Sequence, residues 1–184
     1  MSSALNYKEL MWESWHYRFG LAGEGQADVI QNFLERYRGV VLNVGCGLDG
    51  AKLARLAAHC NAQVALDKDR GMVKSAESTC SANNVAFLVA DAHDLPFRDC
   101  SADHVVALGL FAYMSDAARV LREFHRVCRR GGHVMITNSV SRSREHHRKA
   151  GVEAGLCLVE EMEGYCPAAS GDIKRRYLLV FSRT

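Results

Sequence analysis

No apolar stretch of this chain reaches the roughly 18 residues needed to cross a bilayer as a helix, and Met1 to Leu10 carry no signal-peptide apolar core. The expectation is therefore a soluble, cytoplasmic protein with no membrane partner. Low-complexity tracts and internal repeats are missing as well, so solenoids and propellers are set aside. Cys46, Cys60, Cys80, Cys100, Cys128, Cys157 and Cys166 are scattered and contain no C-x-x-C pair. Neither a zinc site nor a disulfide framework is indicated, and reduced, mostly buried thiols are expected. The formal net charge is only +2, too small to draw a polyanion to the whole molecule. Its one basic run, Arg142, Arg144, His146, His147, Arg148 and Lys149, reads as a solvated helix face. What is present is an ordinary globular composition: 184 residues, 48% apolar and 24% charged, enough for one domain but not for two lobes around a shared ligand. One domain must then hold the whole site.

The apolar run Val40 to Val44 ends at Gly45, and Ala51 to His59 follow with apolar residues at helical spacing. That is a strand, a glycine turn and a helix. Gln63 to Leu66 form a second short strand closed by Asp67, after which Asp69 is placed to cap a helix running to about Ser81. Val85–Ala90, His104–Leu108 and Val134–Thr137 predict three further strands, each mostly apolar as befits strands buried on both faces. Asp116 predicts the cap of a helix whose Val120, Leu121, Phe124, Val127 and Cys128 share a face, with Gly131 and Gly132 stopping it. A charged helix over Arg142–Ala154 follows. Leu156–Met162 and Tyr177–Phe181 then pair as strands across a loop holding Gly164, Pro167 and Gly171. Alternating strands and helices imply an α/β, Rossmann-like three-layer sandwich, its sheet mostly parallel, with ligands at the carboxyl ends of the strands.

Two local patterns point to a nucleotide-like ligand. Gly45, Gly47 and Gly50 lie where the chain leaves the first strand and turns into a helix, so a ligand can approach the backbone. A glycine turn of this kind is shared with dinucleotide-binding proteins and also occurs without any ligand. Asp67, 22 positions after Gly45, ends the second strand, where a carboxylate can accept hydrogen bonds from both hydroxyls of a ribose. A third segment, Val89-Ala90-Asp91-Ala92-His93-Asp94-Leu95-Pro96-Phe97, precedes Ser101-Ala102-Asp103-His104-Val105-Val106. Leu121-Arg122-Glu123-Phe124-His125-Arg126-Val127 and Gly131-Gly132-His133 come later.

In order and spacing these segments resemble class I S-adenosylmethionine-dependent methyltransferases, in particular the small-molecule branch typified by quinone-biosynthesis enzymes. The resemblance covers about residues 38 to 139. It implies a seven-stranded sheet with an antiparallel final strand, and S-adenosylmethionine as cofactor with S-adenosylhomocysteine as product. It further implies a cofactor site built from Asn43, Gly45, Cys46, Gly47, Asp67, Lys68, Asp91, Ala92, Leu108 and Gly109. The glycine turn would lie along the methionine part, Asp67 would hold the ribose, Asp91 and Ala92 would meet the adenine edge, and Lys68 would flank its face. Carbonyls near Leu108 and Gly109 would receive the ammonium. Two positions depart from the family pattern: Asn43 stands where an acidic residue is usual, and Asp49 where a third glycine is common. Asp49 could supply the carboxylate that Asn43 lacks.

The resemblance implies methyl transfer to a small-molecule acceptor. Family members that methylate amides of bases or of glutamine carry a proline-rich aromatic tetrapeptide after the fourth strand. This chain has Leu108-Gly109-Leu110-Phe111 there, so no nucleic-acid partner is expected. Only Ser139 to Gly155 separate the fifth and sixth strands, too little for a large acceptor domain; the chain is expected to act as a monomer or homodimer. The aromatic segment Tyr7 to Phe19 lies before the first strand. Either it forms a lid over cofactor and acceptor, within an N-terminal segment 1–38 ahead of a binding domain 39–184, or it is an amphipathic helix packed on the core. His16, Tyr17 and Tyr113 are the candidate catalytic side chains, and no metal site is expected. Two alternatives stay open: an NAD-dependent oxidoreductase, and a module that binds S-adenosylmethionine without turnover.

Overall fold

The computed structural model describes residues 38–139, 144–167 and 173–184. Its elements are β1 (Val40–Val44), α1 (Gly50–Ala57), β2 (Ala62–Asp67), α2 (Arg70–Thr79), β3 (Val85–Val89) and β4 (Ala102–Leu108). A 3-10 turn (Leu110–Tyr113) leads to α3 (Ala117–Val127), β5 (Cys128–Ser139), α4 (Arg144–Glu153), β6 (Cys157–Pro167) and β7 (Ile173–Ser182). The seven strands form one sheet in the order β3-β2-β1-β4-β5-β7-β6. Strands β1 to β5 pair in parallel, whereas β7 is antiparallel to both β5 and β6. This is the expected Rossmann-like sheet. Its order reverses between β1 and β4, so the turns leaving these two strands diverge and open a crevice at their carboxyl ends.

Both faces of the central strands β1, β4 and β5 are buried, which is why these strands read as mostly apolar runs. Leu42, Val44, Leu66, Val105, Ala107 and Ile136 pack with Val120, Leu121, Phe124 and Val127 of α3. The alternate residues Val41, Val106 and Met135 face the other way, toward Leu56 of α1. Asp116 caps α3 as expected, accepting from the Arg119 backbone N–H at 2.9 Å.

The glycines after α3 do something other than stop it. The helix ends at Val127, because Cys128 is already paired with Ala102 of β4. The register then jumps to His104 opposite His133, and Gly131 and Gly132 lie in the resulting irregularity, which hydrogen-bonds to Arg183 on both its N–H and its carbonyl. A Cβ on Gly132 would stand 2.3 Å from the Asp103 carbonyl oxygen, so close approach of two strands requires glycine there.

Further along, two more expectations are corrected. The basic run is not all solvated, since His147 is buried on α4, hydrogen-bonded to the Tyr177 hydroxyl with its ring 5.0 Å from that of Phe111. Gly164 and Pro167 belong to β6 itself rather than to a loop, an edge strand whose end tolerates proline. The cysteines are mixed: Cys46 and Cys128 are buried, whereas Cys100 and Cys157 are exposed. Arg142, Gly171 and the aromatic segment with His16 and Tyr17 lie outside the described residues. Among the described residues no helix is long and apolar enough to cross a membrane.

Candidate active site

A cavity of about 540 Å³ opens at the carboxyl ends of the first strands, a size typical of small-molecule sites. One wall is the turn from Val44 to Leu48, a second is Asp67, Lys68 and Asp69, and a third is Leu108, Gly109 and Leu110. Ala90 and Ala92 close the β3 side; Met72, Tyr113 and Met114 form the rest of the lining.

The first wall is held by β2. The backbone N–H groups of Gly45 and Cys46 both donate to the Leu66 carbonyl, at 2.8 and 2.9 Å. Gly45 and Gly47 have φ of 73° and 66°, a left-handed conformation that costs other residues about 1–2 kcal/mol. The two differ in their surroundings. A Cβ on Gly45 would sit 2.6 Å from the Leu110 side chain, whereas one on Gly47 would meet nothing within 4 Å. Gly47 thus presents bare backbone to the cavity.

Asp67 organises the second wall. Its Oδ2 accepts from the Gly47 N–H at 3.1 Å and its Oδ1 from the Asp69 N–H at 3.0 Å, joining the glycine turn to the start of α2. A carboxylate offers about four acceptor directions, so capacity remains for a vicinal diol. Asp69 performs the separate task of capping α2, accepting from Gly71 and Met72 at 2.6 and 3.1 Å. Asp69 is thus the cap that its spacing suggested.

Of the positions expected from sequence, Gly45, Cys46, Gly47, Asp67, Lys68, Ala92, Leu108 and Gly109 are brought together on this cavity. Asn43 and Asp91 are not on its wall. Asn43 is 1% exposed, and neither end of its amide meets a hydrogen-bond partner among the described residues. Strand alternation explains its position: Asn43 pairs with Ala65 and Val106, on the sheet face opposite Leu42 and Val44. Asp49 is also off the wall. Asp91 is exposed and turned to His93, whose backbone N–H (2.9 Å) and ring Nδ1 (2.7 Å) both contact its Oδ1 and hold its carboxyl below the usual range.

Tyr113 lines the cavity and is 86% exposed, whereas its neighbour Phe111 is buried edge-on against Phe124. Val44, Leu48, Asp69, Met72, Ala90, Leu110 and Met114 complete the lining without having been expected as site residues. The cap at Asp69 was a usable signal for Met72, because it places that residue in the first helical turn beside Asp67. Leu110 had no local signal, since its role is a contact with Gly45 across the crevice.

A family model described as "Methyltransferase domain" matches residues 42–136. The chain belongs to the class I S-adenosylmethionine-dependent methyltransferases. The chain is 34% identical over 119 residues to the demethylmenaquinone methyltransferase of Thermotoga maritima, a match covering 64% of the chain and 51% of the relative. It is 30% identical over 158 residues to the phosphatidylethanolamine N-methyltransferase of Cereibacter sphaeroides, covering 84% of the chain and 76% of the relative. The match thus spans about half the length of the Thermotoga relative. Among solved structures, a putative methyltransferase from Haloferax volcanii, in complex with the Trm112 methyltransferase activator, superposes with a TM-score of 0.74 at 21% identity. That superposition covers 96% of the chain and 90% of the other. The oxidoreductase alternative is not favoured by these relationships.

Proposed function

We propose that this chain binds S-adenosylmethionine in the cavity and transfers its methyl group to an uncharged small molecule lying against Leu110, Tyr113 and Met114. The observation that carries the reading is the division of the cavity. One side presents the Gly47 backbone and the Asp67 carboxylate, suited to a zwitterionic nucleoside. The other side presents Leu108, Leu110, Met114 and Tyr113, with no charged side chain among them. The open space at Gly47 and the remaining acceptor capacity of Asp67 fit the cofactor.

When bound, the cofactor supplies an electrophilic methyl group on a sulfonium. The protein's part is placement, because holding two reactants in line can replace most of the entropic cost of their encounter. Asp67 accepts from the ribose hydroxyls, Ala92 meets the adenine ring edge, Lys68 flanks the base, and the Leu108 carbonyl faces the ammonium. Asn43 stands behind the glycine turn and takes no direct part. Tyr113, the described aromatic with a hydroxyl on the lining, is the candidate to orient an acceptor or receive its proton. One relative named for a small acceptor, the demethylmenaquinone methyltransferase of Thermotoga maritima, supports the acceptor class.

The test is calorimetric titration of the protein with S-adenosylmethionine, S-adenosylhomocysteine and NAD, repeated on Asp67→Ala. Saturable binding of the first two, weakened by the substitution, is expected; binding of NAD alone would overturn the reading. Release of S-adenosylhomocysteine with a panel of phenols, quinols and amines then identifies the acceptor. No turnover with any of them would leave a binding module.

A further inference from the structure

Residues 90–101, which follow β3 and carry Asp91 and Ala92, contain no helix or strand to hold them in shape. Helix α3 does so instead. The Leu95 N–H donates to Glu123 Oε2 at 2.7 Å, and Arg126 Nη2 donates to the Leu95 carbonyl at 2.8 Å. Arg126 Nη1 reaches the Phe97 carbonyl at 2.7 Å and Asp99 Oδ1 at 3.0 Å. The two side chains are themselves joined by a two-pronged pair, Nε to Oε1 at 2.8 Å and Nη2 to Oε2 at 2.7 Å. One turn earlier, Arg119 Nε donates to the His93 carbonyl at 3.1 Å. The loop is therefore gripped at residues 93, 95, 97 and 99 from a single helix edge.

That grip is specific in its chemistry. A guanidinium presents several donors in a rigid plane, so one side chain can bond two carbonyls of the loop, those of Leu95 and Phe97, and a carboxylate together; an ammonium cannot. The opposite face of α3, with Val120, Leu121, Phe124 and Val127, is sunk in the main core. Leu95 enters the same core at 2% exposure. The position of Ala92 relative to the cavity is thus referred to the sheet from two sides, through the Ala90 N–H, which donates to the Asp67 carbonyl of β2 at 3.1 Å, and through α3. Arg126 pairing is the largest influence holding the Glu123 carboxyl below its usual range, so the pair stays ionised.

We infer that Glu123 and Arg126 are positioning residues for the base-recognition end of the cavity, fixing the loop so that Ala92 meets the edge of an adenine. The inference rests on the cofactor reading above and adds to it two residues that touch neither cofactor nor acceptor. A role confined to stability would lower the melting temperature and leave base preference untouched. A positioning role makes the binding of an adenine nucleoside less selective.

The experiment measures the affinity of the protein for S-adenosylhomocysteine and for its hypoxanthine counterpart, in which the exocyclic amino group is replaced by oxygen. The wild type is expected to prefer adenine. Glu123→Gln and Arg126→Lys are each expected to weaken binding of S-adenosylhomocysteine about tenfold or more, the usual scale for a lost charge-assisted hydrogen bond, and to reduce the preference toward unity. A wild type that binds neither compound would sink the cofactor reading and this inference with it. A wild type that discriminates, with folded variants that keep the same preference, would overturn the positioning role alone. Arg126→Lys retains charge and stem, and carries the test should Glu123→Gln fail to fold.

Discussion

At the scale of single residues, the two glycines of the first turn have the same backbone conformation and different consequences. In Gly47→Ala the new methyl group enters empty cavity space, so the cost to folding is limited to about 1–2 kcal/mol of left-handed strain. The methyl then occupies volume assigned to the cofactor. We expect little change in urea denaturation beyond that strain and a large loss of S-adenosylmethionine affinity by calorimetry. Gly45→Ala meets the Leu110 side chain and must displace it, so it should raise the acceptor KM as well. If both variants bind cofactor normally, the glycine turn does not hold it. Asp67→Ala removes the ribose acceptor and also releases the Gly47 and Asp69 N–H groups. An affinity loss of about 2–3 kcal/mol is expected from the polar groups left unpaired.

At the scale of elements, α1 and α2 touch where a Cβ on Gly50 would stand 2.1 Å from the Ala76 carbonyl oxygen and 2.5 Å from the Cys80 nitrogen. Both are backbone atoms and neither can swing aside. Alanine ordinarily gains about 1 kcal/mol over glycine in a helix. Overpacking of a tight contact costs about 1–3 kcal/mol, and this contact is far inside van der Waals distance. Gly50→Ala is therefore expected to destabilise the protein in urea denaturation, contrary to helix propensity; a stabilised variant would show that the helices separate freely. The same element pair shows what a reading of residues in order can reach. The Asp69 cap and the apolar spacing of α2 are local and legible. The need for glycine at position 50 depends on α2, whose Ala76 lies 26 residues further on, so in the sequence it reads only as one more glycine of the turn.

At the scale of the whole molecule, two buried histidines make stability depend on pH. Burial lowers both His104 and His147 to about 4 from the ordinary 6.5. Below pH 6.5 the unfolded chain takes up protons that the folded chain refuses until about pH 4, so stability is complete above 6.5 and falls as pH drops through that window. Each unit is worth about 1.4 kcal/mol, so each histidine should remove roughly 2 kcal/mol at pH 5. Urea denaturation at pH 7 and pH 5 measures this, and His147→Phe should make the dependence shallower by about one proton. Identical stability of the wild type at the two pH values would show that these rings are not held neutral by the fold.

The order of amino acids by itself determined the features that depend on near neighbours. The alternation of apolar strands with capped helices, the left-handed glycine turn, and the cap at Asp69 all follow from periodicity, φ preference and capping within a few residues. What only the tertiary structure decided is whatever joins distant segments. Strand β4 lies beside β1, so Leu110 closes over Gly45. Asn43 falls on the sheet face away from the cavity, and Cys128 leaves α3 early because Ala102 is there to pair with it. Glu123 and Arg126 grip a loop about thirty residues earlier in the chain. Local chemistry sets the conformation of each segment, but long-range contacts set which side chains meet, because sheet pairing and core packing are satisfied only when the whole chain is assembled.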